Sequence, residues 1–286
     1  MRRIGPFLVW LGLLTAFCMT LTSCRLNPEK REAVASRAAQ KGFEARQLDA
    51  GQFKLFVLFR GLEASRSLTV YVEGDGRAWR RNAGPPKDPT PKNPVALDLA
   101  LADRSEAVLY IARPCQWLDA EELKSCSANY WANYRYAEEV INSVDEAVSW
   151  AISQTSLAGQ NHRLGMVGYS GGGTVAALVS ARRDDVDWLV SVSANLDHEA
   201  WTEAGDLTPL NQSLNPTNFG KQLAGIPQLH LFGEQDDIVP YSVLESYASA
   251  IGGNNVTLER HENFDHSCCW ADIWPARLES FVQGLQ

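Results

Sequence analysis

The stretch Leu164-Gly165-Met166-Val167-Gly168-Tyr169-Ser170-Gly171-Gly172-Gly173-Thr174-Val175-Ala176-Ala177-Leu178 decides the fold of this 286-residue chain. Residues 164–167 read as a short buried strand, and the small-residue run 172–181 reads as a helix that follows with almost no linker. Between them, Gly168-Tyr169-Ser170-Gly171-Gly172 places glycine two residues before and two after a serine. A serine hydroxyl is a weak nucleophile until a base reaches it, so its oxygen must be held clear of its own backbone. A tight strand-to-helix turn does this, and its geometry demands small residues at those two positions. The turn also leaves the Gly171 amide free at a helix start, where it can donate to a developing oxyanion. Ser170 is the candidate nucleophile and Gly171 a candidate oxyanion donor.

Working outward, apolar β-rich runs alternate with helix-period segments. Strands are expected at 53–59, 67–72, 107–111, 188–192, 228–232 and 256–260, and helices at 132–153, 241–250 and 270–285. In 132–153, Tyr136, Val140, Val144, Val148 and Ile152 recur at four-residue spacing and form one buried stripe. Residues 84–91, with four prolines, are too proline-rich for regular structure and read as a loop. Strands alternating with helices imply parallel, right-handed crossovers, hence a mainly parallel sheet flanked by helices. Between Asn195 and Ala224 the periodicity fails, which suggests a small lid or cap over the sheet edge.

The strand at 228–232 runs into Gly233-Glu234-Gln235-Asp236-Asp237-Ile238-Val239-Pro240. This resembles the G-x-x-D-x-x-V-P segment after the penultimate strand of many α/β-hydrolases. The resemblance implies Asp236 as the acid of a catalytic triad, with Asp237 as the alternative, a turn carboxylate or helix N-cap. Two histidines follow, His261 at the end of a strand and His266 deeper in the loop before the last helix. In α/β-hydrolases the base occupies that loop, so His266 is implied, with His261 as the alternative. His162, His198 and His230 are expected in packing or surface roles. A second oxyanion donor is expected after an early strand. There Glu73-Gly74-Asp75-Gly76 stands where many relatives carry His-Gly. By position the Asp75 amide is expected to donate, with Gly76 next, and an acidic side chain at this edge is expected to disfavour anionic substrates.

The chain begins Met1-Arg2-Arg3 and then runs uncharged to Cys24, a basic segment followed by an apolar one of secretory-leader length. Leu21-Thr22-Ser23-Cys24 resembles the lipobox of bacterial lipoproteins. That resemblance implies cleavage after residue 23, lipidation of Cys24, and a membrane-anchored domain in the bacterial cell envelope. The organisation expected is a leader at 1–23, a lipidated tether at 24–51 and an α/β-hydrolase domain at 52–286. Losing Arg2 and Arg3 takes the formal charge from −8 to −10, which argues against nucleic acid as a partner. Cys115, Cys126, Cys268 and Cys269 then form an even set, as export favours, with three pairings open. A metal site is disfavoured because no C-x-x-C spacing occurs.

More narrowly, Val72-Glu73-Gly74-Asp75-Gly76-Arg77-Ala78-Trp79, Ala112-Arg113-Pro114-Cys115-Gln116 and Gly168-Tyr169-Ser170-Gly171-Gly172-Gly173 resemble a group of bacterial lipoproteins of this fold. The implied activity is cofactor-free hydrolysis of a carboxylic ester or thioester on a small-molecule or acyl substrate, with Ser170 attacking and His266 shuttling the proton. Peptidase, amidase or acyltransferase activity on envelope material uses the same residues. A non-enzymatic envelope scaffold is the alternative of another class.

Overall fold

Residues Ala107–Ile111 are all fully buried, as a strand covered on both faces must be. In the computed structural model, which describes residues 31–78, 84–155 and 163–285, they belong to one eight-stranded sheet. The elements are α1 (Arg31–Ala39), β1 (Glu44–Ala50), β2 (Phe53–Arg60), β3 (Ser67–Val72), α2 (Val95–Ala102), β4 (Ala107–Ile111) and α3 (Glu138–Ser153). There follow β5 (Arg163–Tyr169), α4 (Gly171–Ser180), β6 (Val186–Val192), α5 (His198–Ala204), α6 (Gly220–Leu223), β7 (Gln228–Gly233), α7 (Tyr241–Ile251), β8 (Val256–His261) and α8 (Trp270–Gln283). The strand order is β1-β2-β4-β3-β5-β6-β7-β8. Pairings β1/β2 and β2/β4 are antiparallel and the rest parallel. This is the mainly parallel α/β-hydrolase architecture that the strand and helix alternation implies.

The period-2 pattern sorts side chains into two cores. Leu55, Val57, Val70, Val72, Leu109 and Ile111 face the layer of α3, α4 and α7. Phe56, Leu58, Tyr71, Val108 and Tyr110 face α1, α2 and α8. Each such fully buried large apolar side chain contributes ~1.5–3 kcal/mol, so the centre of the sheet is held from both sides. Loops at the carboxyl ends of β3, β5, β6, β7 and β8 gather along one edge, where open α/β sheets bind ligands.

Four elements differ from the sequence expectation. The tether expected to reach residue 51 gives way to α1, which buries Val34 and Ala38, and to β1, which pairs along its whole length with β2. In β1 only Leu48 and Ala50 are buried, so backbone pairing forms it and the side chains carry little signal. The helix expected from residue 132 begins at Glu138, because 128–137 are taken up by a 3-10 turn and further turns. Helix α2 was not expected. Its Val-Ala-Leu-Asp-Leu-Ala-Leu-Ala run is buried against the sheet and α8 and shows no amphipathic stripe. The irregular region 195–224 contains α5, a 3-10 turn at Pro216–Phe219 and α6, an insertion at the sheet edge consistent with a cap. The leader, the tether before residue 31, Cys24 and His162 lie outside the described residues.

Candidate active site

Strand β5 delivers Ser170 to the carboxyl edge at φ 51°, ψ −127°, a backbone state that costs a non-glycine residue energy and persists where its surroundings hold it. The holding contacts are close. A Cβ on Gly168 would stand 2.3 Å from the Gly172 carbonyl oxygen, and one on Gly172 would stand 2.2 Å from that of Val72. The Ser170 amide donates to the Val192 carbonyl at 2.9 Å, which ties the turn to β6. Glycine at 168 and 172 thus lets the chain pass tightly enough to project the serine side chain.

The loops after β7 and β8 bring Asp236 and His266 to that serine. His266 Nε2 lies 3.1 Å from Ser170 Oγ, and Nδ1 lies 2.8 and 3.0 Å from the two Asp236 carboxylate oxygens. A carboxylate accepts only, so Nδ1 carries a proton toward Asp236 and Nε2 is left to accept from the Ser170 hydroxyl. Asp236 is held in turn by the Ile238 and Val239 amides, each donating to Oδ1 at 2.9 Å. Its side chain is 1% exposed against 18% for His266, so the carboxylate is sheltered and the imidazole meets solvent. Asp237 is exposed. His261 bonds Glu259 at 3.0 Å and packs on Phe264 and Trp270. His230 is fully buried on Ser191 and Gln228, and burial depresses its pKa to about 3. His198 is buried beside the Tyr136 ring.

On the other side of Ser170, the loop after β3 lies against Gly171. A Cβ on Gly171 would stand 2.1 Å from Asp75 Oδ1. Neither the Gly171 nor the Asp75 amide has an acceptor among the described residues, while the Asp75 carboxylate is fully engaged. Arg113 Nη1 donates to Oδ1 at 2.9 Å, Arg135 Nη1 to Oδ2 at 2.8 Å, and the Tyr136 hydroxyl to Oδ2 at 3.1 Å. Arg113 also donates to the Arg135 carbonyl. Burial alone would raise the Asp75 carboxyl pKa, but the charges of Arg135 and Arg113 outweigh it and hold the group below the ordinary carboxylate range. The expectation that this side chain repels anions is therefore corrected: two buried guanidiniums face one carboxylate.

Sequence reasoning missed Arg113, Arg135 and Tyr136 as site residues, because a lone arginine in a loop carries no motif. A signal was nonetheless present. The segments 72–78 and 112–116 meet here: Arg113 holds Asp75, and Gln116 Nε2 donates to the Gly74 carbonyl at 2.9 Å. A disulfide from Cys115 to Cys126 pins that second loop. Glu73, fully buried next door, accepts from the Gly74 amide at 2.9 Å, the Tyr110 hydroxyl at 3.1 Å and the Ala96 and Leu97 amides at the start of α2. Burial lifts its pKa to about 7, and those four donors work against the rise.

A rim completes the site. The Trp201 ring lies 5.8 Å from the Arg135 guanidinium, and its Nε1 donates to the Ile238 carbonyl at 2.8 Å, so α5 links the Asp75 side to the Asp236 loop. A cavity of about 530 Å³ opens beside that loop, walled by Phe232, Asp236, Tyr241, Arg260 and Glu262. Ser170 and His266 do not line it. Among the described residues, no group of three His, Cys, Asp or Glu side chains is arranged to hold a metal ion.

Residues 116–270, more than half of the chain, match the model of the dienelactone hydrolase family, and this span contains Ser170, Asp236 and His266. The chain belongs to the dienelactone hydrolase family. No curated protein sequence matches it significantly. Among solved structures of this fold, Est1E from Butyrivibrio proteoclasticus is similar with a TM-score of 0.59 at 14% identity, covering 84% of this chain and 98% of that one. An esterase from Pyrococcus furiosus has a TM-score of 0.59 at 14% identity, covering 86% and 92%. An α/β serine hydrolase without lid from Xanthomonas campestris has a TM-score of 0.55 at 14% identity, covering 85% and 94%. Identities this low establish a shared fold. The family match rests on the segment that carries the serine turn, the acid loop and the histidine loop.

Proposed function

We propose that this dienelactone hydrolase family member is a serine hydrolase that cleaves a carboxylic ester or thioester through an acyl-enzyme. The observation that carries the reading is His266 placed between Ser170 Oγ at 3.1 Å and Asp236 at 2.8 Å. That spacing is within direct proton-transfer reach. Ser170 Oγ attacks the carbonyl carbon and its proton passes to His266 Nε2. Asp236 keeps the Nδ1 proton in place and stabilises the imidazolium without taking the proton itself. The negative charge on the carbonyl oxygen is met by the Gly171 and Asp75 amides, which have no competing acceptor among the described residues. His266 returns the proton to the leaving alkoxide or thiolate. It then activates water to release the acyl group from Ser170.

The same reading includes export and anchoring, supported by the leader pattern of residues 1–23 and the Leu-Thr-Ser-Cys tetrad ending at Cys24. Cys24 carries the lipid, and the folded domain faces the bacterial cell envelope. Labelling by a fluorophosphonate probe tests the chemistry: wild type labels and Ser170→Ala does not. Folded wild type that refuses the label defeats the hydrolase reading, and label that survives Ser170→Ala defeats the choice of nucleophile. Fractionation tests the anchor, with Cys24→Ser expected to leave the membrane fraction.

A further inference from the structure

We propose that the adjacent cysteines Cys268 and Cys269 form a thiol–disulfide exchange site that controls the working position of His266. The proposal rests on the reading of His266 as the base. The two sulfurs are bonded to each other, and the pair stands between His266 and the start of α8. Nothing in the proposed hydrolysis uses them.

The segment 265–270 is built as one unit around the histidine. On its amino side, Asp265 Oδ1 accepts from the amides of Ser267 at 2.8 Å and Cys268 at 2.6 Å, folding the chain back immediately after His266. On its carboxyl side, Trp270 Nε1 donates to the His266 carbonyl at 3.3 Å, and the Trp270 ring is buried against Phe264 and His261. Cys269 joins these halves at φ 77°, a left-handed state that non-glycine residues avoid. The covalent ring through both sulfurs restricts the backbone torsions open to the two cysteines. Once opened, Cys269 is an ordinary residue free to leave that region, which would carry Trp270 and the His266 carbonyl with it.

Access separates this disulfide from the other one by degree: Cys268 and Cys126 are both half-buried, but the second sulfur of the adjacent pair belongs to the exposed Cys269, whereas that of the other bridge belongs to the fully buried Cys115. A small dithiol reductant can therefore reach the adjacent pair first. Its thiolate attacks Cys269 Sγ, the Cys268–Cys269 bond breaks, and Cys268 leaves as a thiolate that takes up a proton. The second thiol of the reductant then displaces Cys269. Two thiols remain on the protein, the reductant departs as its cyclic disulfide, and two electrons have been transferred.

The test is kcat and KM of the full chain on a short-chain aryl ester across reduced-to-oxidised dithiothreitol ratios, with cysteine states read by alkylation and peptide mass. The expected result is a reversible loss of at least about tenfold in kcat, with KM little changed, following the fraction of Cys268–Cys269 reduced. The Cys268→Ser/Cys269→Ser double variant is expected to sit at the reduced wild-type kcat and to ignore the reductant. Unchanged kcat with that pair reduced overturns the proposal, as does opening of Cys115–Cys126 before it. Fluorophosphonate labelling of the oxidised protein is read in parallel. Its failure counts against the hydrolase reading and is distinguishable from both of those outcomes.

Discussion

The two sides of Ser170 are built in opposite ways. On the proposed acid–base side, Asp236 and His266 sit in loops directly after β7 and β8, and short-range bonds hold them. The Ile238 and Val239 amides cap Asp236, and Asp265 folds the chain just beyond His266. On the proposed oxyanion side, Asp75 is held by Arg113 and Arg135, which stand 38 and 60 residues away in sequence. The first side is local and its histidine is half-buried; the second is an ionic cluster in which two buried arginines hold a half-buried carboxylate, with Tyr136 buried behind it. A base must exchange protons with substrate and water, so exposure serves it. An oxyanion donor must hold still while charge develops, so a support tied down by ion pairs serves it.

The sharpest way to break this contrast is on the acid–base side. Asp236→Asn is expected to lower kcat by about 10⁴-fold through loss of the correct imidazole tautomer, with unfolding midpoints little changed. Asp237→Asn, one residue on and exposed, is expected to leave kcat within about twofold, since surface substitutions away from special features are nearly neutral. Equal losses from both variants would mean that the acid loop acts as a unit and that its local bonding does not select Asp236.

On the oxyanion side the expected damage is to stability. Asp75→Ala leaves two buried guanidiniums facing each other with no counter-ion. It is expected to cost ~3–5 kcal/mol in urea unfolding. Added salt should not restore it, because buried charges are poorly screened. A cost under ~1 kcal/mol would show the cluster to be hydrated and dispensable.

Glu73 offers a subtler test of the same side. Its folded pKa of about 7 lies above the ~4.3 of an unfolded glutamate. Between those values the unfolded chain releases a proton that the folded chain keeps, so stability is full below ~4.3 and is lost as pH rises through about 7. The loss is expected to be on the order of 3 kcal/mol. Glu73→Gln removes the titration and should flatten unfolding free energy over that window. A slope that persists in the variant would assign the effect to another group.

Legibility followed sequence distance. Strands β3 and β4 match the expected ranges, and β2, β5, β6, β7 and β8 match with ends extended by one or two residues, because all but the mixed β8 are largely apolar. Strand β1 escaped because an edge strand with five exposed side chains in seven looks like a tether. Helix α2 escaped because burial on most sides removes the amphipathic period. Tyr136, expected inside a helix, precedes α3 and instead points its hydroxyl at Asp75 and Asn195. The position of Asp75 in the site could be named from its place after a strand. Its partners could not, since no local rule links residue 75 to residues 113 and 135.

By itself the sequence determined the parallel α/β plan and the serine turn, because apolar period, turn chemistry and glycine spacing are local properties of the chain. Tertiary structure alone decided that Asp75 is a paired ion, that 44–50 completes the sheet, and that Cys268 bonds its neighbour Cys269 rather than Cys115 or Cys126. Those outcomes depend on which distant segments burial brings into contact. Short-range pattern does not encode that choice.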